Sequence, residues 1–289
     1  MICPWRPFRR LNAVGNHYSG EVSRIRLDKL LIKRKIADSI DEAVALIEEG
    51  MILVDGAPQA SPSSAIDPAS AISLRKEKPK YVSRAGFKLE AAIENFNLNI
   101  KNKRCLDIGT STGGFTDCFL QYGAKEVVSV DVGHGQIDDS LRQNTKVDLF
   151  EKTNAKNITV DLIGGKCDVA AVDVSFTSAI PLLDSISKCL NVVEIVVLIK
   201  PQFELPAKHI NNKGIVQKKE SHLQCIREFI SALGQDFDIS GLMPSPIVGT
   251  HGNLEFLCLL KDTNAVSTKI IDTQIEEVVR EAHEMRHIL

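Results

Sequence analysis

Five short runs from residue 105 onward, at 105–108, 127–130, 169–172, 193–199 and 254–260, are apolar without alternation. Strands covered on both faces read this way. With helical patterns between them, the runs predict an α/β fold built on a doubly wound, mostly parallel sheet. Ahead of the first run, a helix begun by Ser83 is expected to bury Ala85, Leu89, Ala92 and Phe96, with Lys88 at the edge of the same inner face.

The pattern near the N-terminus is shorter and more polar. Leu27, Leu30 and Leu31 repeat at helical spacing, and Arg26, Lys29 and Lys33 line another face of that helix. Ser39 and Glu42 have capping-box spacing for a second helix, which buries Ala43, Leu46 and Ile47 and stops at Gly50. A strand at 51–54 then closes on the Asp55-Gly56 turn. The result is a small α+β domain, basic on one side.

The organisation predicted is a disordered lead-in over 1–23, a small domain with its linker over 24–80, a large domain over 81–262, and a C-terminal helix within 263–289. The lead-in has neither a signal-peptide core nor an acid-free amphipathic repeat. No apolar run reaches the ~18 residues needed to span a bilayer. Seven scattered cysteines without a C-x-x-C pair give no zinc site or disulfide framework, and no metal is expected; reduced core cysteines suit a cytoplasmic location. The net charge of −2 conceals an asymmetry. Residues 1–80 hold 13 Lys+Arg against 10 Asp+Glu, a net of +3, and the remainder holds 22 against 27, a net of −5. Polyanion contact is therefore expected mainly on the small domain.

Candidate chemistry starts in the loop after the first strand of the large domain, Asp107-Ile-Gly109-Thr110-Ser-Thr-Gly113-Gly114-Phe-Thr-Asp117. Its glycines allow close backbone approach to a ligand where such sheets bind nucleotides. Phe115 stands where a P-loop requires lysine, and the dinucleotide G-x-G-x-x-G is missing. Asp131 ends the next strand, 22 residues after Gly109, in place to take both ribose hydroxyls of an adenosine. With Asp107 near a cationic amino-acid end and no phosphate grip, S-adenosylmethionine fits best.

Three further charges sit at strand ends: Asp173, Lys200 and Glu255. Singly, each reads as a solvated strand end. Together with Lys88 they form a K-D-K-E series that resembles the tetrad of the FtsJ-related ribose 2′-O-methyltransferases. The strings S-R-A-G-F-K88-L, D131-V-G-H-G-Q, T-N154-A-K, D173-V-S-F, K200-P-Q-F-E and G-N-L-E255-F, with the glycine loop, resemble the TlyA (hemolysin A) family from about residue 24 to 262. The stretch R-L-D-K-L-L…D-E-A-V-A-L-I-E-E-G-M-I-L-V-D-G resembles the RNA-binding module named after the fourth small-subunit ribosomal protein.

The resemblance implies a Rossmann-like methyltransferase domain behind an RNA-binding domain, acting on a cytidine 2′-hydroxyl in ribosomal RNA or ribosomal subunits. Catalysis would fall to Lys88, Asp173, Lys200 and Glu255, with Lys200 as base or as alkoxide stabiliser. Cofactor contacts would come from Asp107, Gly109, Thr110, Gly113, Gly114, Asp131 and Asn154, and phosphate contacts from Arg26, Lys29, Lys33 and Arg34. His134 and Leu205-Pro206 depart from the family pattern. The oligomeric state is not legible. Rival readings are a non-catalytic RNA-binding shell, against which the intact tetrad speaks, and membrane lysis. Lysis would need a membrane-buried surface, whereas the predicted last helix, 268–289, is heavily charged.

Overall fold

The computed structural model describes residues 24–286 apart from 49, 59–60, 76–79, 250–251 and 263–270. The chain divides into two compact units, Met1–Lys78 and Pro79–Leu289. The lead-in expected over 1–23 lies outside the described residues.

In the first unit, β1 (Ile25–Arg26) runs into α1 (Leu27–Lys33), followed by α2 (Ile40–Glu48), β2 (Ile52–Val54), β3 (Ala57–Pro58), β4 (Ala65–Ile66) and β5 (Ile72–Leu74). Ser39 Oγ accepts from Glu42 N at 3.1 Å, while the Glu42 carboxylate reaches back to Asp38 N at 2.7 Å, so both halves of the cap start α2. Gly50, at φ 66°, closes it. Asp55 and Gly56 both take positive φ and join β2 to β3 as a two-residue hairpin. Leu27, Leu31, Ala43, Ile47, Ile52 and Val54 form the core, at roughly 1.5–3 kcal/mol for each large side chain buried.

The second unit contains, in order, α3 (Ala85–Asn95), β6 (Arg104–Ile108), α4 (Gly114–Gln121), β7 (Glu126–Val130), α5 (Asp139–Arg142), β8 (Val147–Phe150), β9 (Val169–Val172), α6 (Leu183–Lys188), β10 (Glu194–Ile199), α7 (Pro201–Glu204), α8 (Lys219–Ala232), β11 (Phe237–Pro244), β12 (Phe256–Asp262) and α9 (Asp272–Arg286). A seven-stranded sheet is ordered β8-β7-β6-β9-β10-β12-β11. The ladders from β8 to β10 are parallel, and β12 is antiparallel to both its neighbours. Hydrophobic layers cover both faces, which is why the central strands are apolar throughout.

Two strands, β8 and β11, have no counterpart in the hydrophobic pattern. Both are edge strands: Asp148 interrupts the one, while Asp238, Ser240 and a bulge near Gly241 interrupt the other. In α9, Ile275, Val278 and Val279 are buried, while Ile271 precedes the helix and is exposed. Among the described residues no helix is long and apolar enough to cross a membrane. The six described cysteines are buried and free, and burial pushes their thiols up.

Candidate active site

The chain leaves β6 for β7 and β8 on one flank, then crosses back to β9 on the other, so strand order reverses between β6 and β9. Their carboxyl ends part there and open a crevice. The glycine loop lies across it, and Gly109, Thr110, Ser111, Asp173, Ser175 and Lys200 are among the residues lining the cavity. The glycines also make room for the protein's own chain. A Cβ on Gly109 would collide with the Asp173 carbonyl oxygen, and one on Gly114 would collide with Ser83 Oγ. Gly113, at φ 98°, caps α4 in the left-handed region against Leu141.

Asp107 is fully buried near the end of β6. Its Oδ2 accepts from Thr116 Oγ1 at 2.6 Å, and that hydroxyl also bonds Ser129 Oγ at 2.7 Å. Its Oδ1 is buried with no hydrogen-bond partner among the described residues. Burial pushes the carboxyl up to about 7; the charges of Asp173 and Asp131 act in the same direction, and the Thr116 bond opposes them. An unsatisfied buried acceptor costs ~1–3 kcal/mol, so the position suits a ligand's cationic or N–H donor.

Asp131, just past β7, accepts from Ser111 N at 2.7 Å on Oδ2 and from Gly133 N at 2.6 Å on Oδ1. Both oxygens are fixed, and each keeps a lone pair for a vicinal diol. The turn beyond is held by Glu151, which accepts from both Arg142 guanidinium nitrogens and from Gly135 N, with His134 Nδ1 at 2.8 Å. Arg142, first among these, holds the Glu151 carboxyl well below the usual range. Asn154 is placed differently. Its side chain accepts from Lys156 N and caps the turn Ala155–Asn157; like Asp107, Gly113 and Asp131, it is not among the residues lining the cavity.

The four tetrad residues fall into two ion pairs. Lys88 Nζ donates to Glu255 Oε2 at 2.5 Å, joining α3 to the residue before β12. Lys200 Nζ lies 2.5 Å from Asp173 Oδ1, and its directed hydrogen bond goes to Ser175 Oγ at 3.0 Å. Glu255 precedes its strand whereas Lys200 and Asp173 follow theirs. They share one edge because β12 is antiparallel, with Phe256 opposite Ile199. At the cavity rim Phe176, at φ 65° and 91% exposed, stands 5.3 Å from the Phe203 ring, over which Lys200 Nζ sits.

Sequence reasoning missed Ser175, Thr116, Ser129 and Gly249. The first two stand inside the strings D-V-S-F and G-G-F-T-D, but their roles depend on which way their hydroxyls point. Gly249 has no local signal: a Cβ there would overlap Glu255 Oε1.

In the small unit, Lys29 and Lys33 are exposed. Arg26, expected on the helix, instead precedes α1 and grips the buried Asp28 through Nε at 3.2 Å and Nη2 at 2.6 Å. Arg34 donates Nη2 to the Pro68 carbonyl oxygen at 2.5 Å. Partners within the unit thus hold both guanidinium groups.

Residues 81–262 match the family described as FtsJ-like methyltransferase. The chain is 35% identical over 265 residues to the 16S/23S rRNA (cytidine-2′-O)-methyltransferase TlyA of Mycobacterium tuberculosis, covering 89% of this chain and 98% of that one. This chain belongs to the TlyA (hemolysin A) family of FtsJ-like methyltransferases. Hemolysin A of Brachyspira hyodysenteriae is 38% identical over 81% of this chain and 98% of its own. The solved structure named "Putative hemolysin from Streptococcus thermophilus" superposes with a TM-score of 0.72 at 36% identity, covering 92% and 98% of the two chains. The TlyA-family chain is a methyltransferase, and S-adenosylmethionine is its methyl donor. The orphaned Asp107 oxygen and the fixed Asp131 carboxylate fit that donor's cationic amino-acid end and ribose.

Proposed function

We propose that this protein methylates the ribose 2′-hydroxyl of a cytidine in ribosomal RNA, in the cytoplasm, with residues 24–80 capturing RNA and 81–262 carrying out the transfer. The observation that carries this reading is the pair of buried lysine–carboxylate contacts: Lys200–Asp173, which lines the cavity, and Lys88–Glu255, whose carboxylate stands at the same edge of the sheet. The names of the relatives, rRNA (cytidine-2′-O)-methyltransferases among them, support the substrate.

S-adenosylmethionine supplies, when bound, an electrophilic methyl group on a sulfonium centre. Asp131 would hold the donor's ribose hydroxyls and Asp107 its cationic end, with Gly109 and Thr110 supplying backbone close by. Asn154 would act from the next loop, steadying the turn rather than lining the cavity.

Lys200 governs the attacking oxygen. An ammonium there has three N–H bonds; Ser175 accepts one, the Asp173 carboxylate lies in ion-pair contact, and an N–H remains for the substrate 2′-oxygen. That contact orients the hydroxyl in line and stabilises the negative charge that grows on oxygen as its proton passes to solvent water. Glu255 holds Lys88 beside the ribose. The exposed Phe176 face offers a stacking surface for the base.

The deciding test incubates ribosomal RNA with the enzyme and labelled methyl donor, then maps 2′-O-methyl positions. One new mark on a cytidine ribose is the expected result. Label on a base nitrogen or carbon, or on protein, would overturn the assignment.

A further inference from the structure

The large unit is acidic over 81–289, with 22 Lys+Arg against 27 Asp+Glu. One stretch departs from this. Residues 205–219 contain four lysines, Lys208, Lys213, Lys218 and Lys219, and no carboxylate. All four are exposed, and none forms an ion pair among the described residues. Some exposed lysines elsewhere in the unit, such as Lys80 and Lys188, have acidic partners, whereas Lys101, Lys125, Lys146 and Lys166 form no ion pair among the described residues either. What sets the arc apart is that four such lysines fall within fifteen residues that hold no carboxylate.

The stretch is built rather than loose. Ile210 and Val216 form an antiparallel bridge, and Asn211 N donates to Ile215 O across a tight turn with Lys213 near its tip. The Asn211 side chain accepts from Lys213 N at 2.9 Å and Ile215 N at 3.0 Å, and Gly214 takes φ 75°. Val216 is buried. Asn253, 2% exposed, locks the arc from outside: its Oδ1 accepts from Val216 N and its Nδ2 donates to Gly214 O, both at 3.0 Å.

The anchor fixes where the arc stands. Asn253 is two residues before Glu255, and the arc itself follows Lys200 and α7, so both ends belong to the catalytic edge of the sheet. We infer that Lys208, Lys213, Lys218 and Lys219 form a second RNA-contacting surface, which grips the phosphates flanking the target nucleotide beside the catalytic cavity. The inference rests on the RNA-methylating reading above. An RNA strand presenting one ribose to Lys200 must carry its neighbouring phosphates across the rim. Unpaired ammonium groups on a rigid loop there meet them with little ordering cost. The rest of the unit carries a net negative charge, so the arc would also set the direction in which the strand crosses.

The test replaces all four lysines (K208Q/K213Q/K218Q/K219Q) in the full chain. The comparison variant, K101Q/K125Q/K146Q/K166Q, removes four exposed lysines that precede β6, β7, β8 and β9, at the opposite, amino edge. With a protein-free ribosomal RNA transcript as substrate, the arc variant should raise KM roughly tenfold or more. It should also flatten the salt dependence of RNA binding by ~0.7–0.9 log units for each phosphate no longer neutralised. Its kcat at saturating RNA and its S-adenosylmethionine affinity should match the wild type, and the amino-edge variant should match throughout. Equal effects in both variants, or none in the arc variant, would overturn the inference. An effect on intact subunits only would assign the arc to a ribosomal protein and overturn it as well. Wild-type turnover on the same transcript separates this failure from failure of the functional reading. Should the fourfold variant melt early, Lys213→Glu at the exposed turn carries the same expectation on a smaller scale.

Discussion

Lys29 and Lys33 of α1 stand in solvent, while Lys88 and Lys200 keep only 8% and 10% of their side-chain surface exposed and sit against carboxylates. Exposed ammonium groups are cheap to keep and meet polyanions without specificity. A buried one carries several kcal/mol of desolvation, which a single carboxylate seldom offsets in full. The residue type is therefore a poor guide to environment: the same ammonium is solvated in α1 and paired with a carboxylate under cover at the sheet edge. The same contrast holds among the arginines. Arg26 and Arg34 belong to the basic stretch, yet Asp28 and the Pro68 carbonyl already hold them, so Lys29 and Lys33 are the freer cations.

The strongest way to break this comparison is Lys200→Met, which keeps most of the side-chain length and removes the polar nitrogen. Single-turnover methyl transfer should fall ~10²–10³-fold, the range for losing one preorganised donor to a developing oxyanion, while RNA and cofactor affinities hold. Wild-type rates would remove Lys200 from the mechanism, and the buried pairs would become structural.

Lys88→Met comes next. It leaves Glu255 buried without its ion pair, so urea unfolding should show a destabilisation of ~3–5 kcal/mol. Adding Glu255→Gln should restore much of that stability but not activity. If the double variant were no more stable than the single, Lys88 would be contributing packing rather than charge.

Asp131→Ala tests the cofactor side of the crevice. Calorimetry should find S-adenosylmethionine binding weaker by ~1.5–3 kcal/mol, as for hydrogen bonds to a charged group, and the fold intact. Unchanged affinity would move the adenosine elsewhere. The smallest effect is expected in the small unit, where Lys29→Gln with Lys33→Gln should flatten the salt dependence of RNA binding by ~0.7–0.9 log units per phosphate released. Cofactor affinity should not move; a slope equal to wild type would make α1 an ordinary solvated helix.

Much of the fold was legible because burial on both faces writes itself into the sequence as unbroken apolar runs. β6, β7, β9, β10 and β12 all lie on runs identified that way, within a residue or two at their ends. β8 and β11 escaped because an edge strand is covered less completely and tolerates Asp148, Asp238 and Ser240. At the site, the glycine loop and Asp131 were readable from spacing, since both depend on local backbone following a strand. Asn154 was chosen from its string, and its side chain turned out to be engaged in a local cap.

The sequence by itself determined the alternation of strands and helices, the glycine turn and the identities of the four charged residues, all of which follow from local pattern. Only the tertiary structure decided how those four combine. Lys88 and Glu255 are 167 positions apart, and no periodicity spans such a distance. Glu255 shares an edge with Lys200 because β12 turns antiparallel, a choice made by sheet pairing over its whole length. Gly249 is needed there because the Glu255 carboxylate fills the space a Cβ would occupy, a steric fact that exists only once the chain has closed.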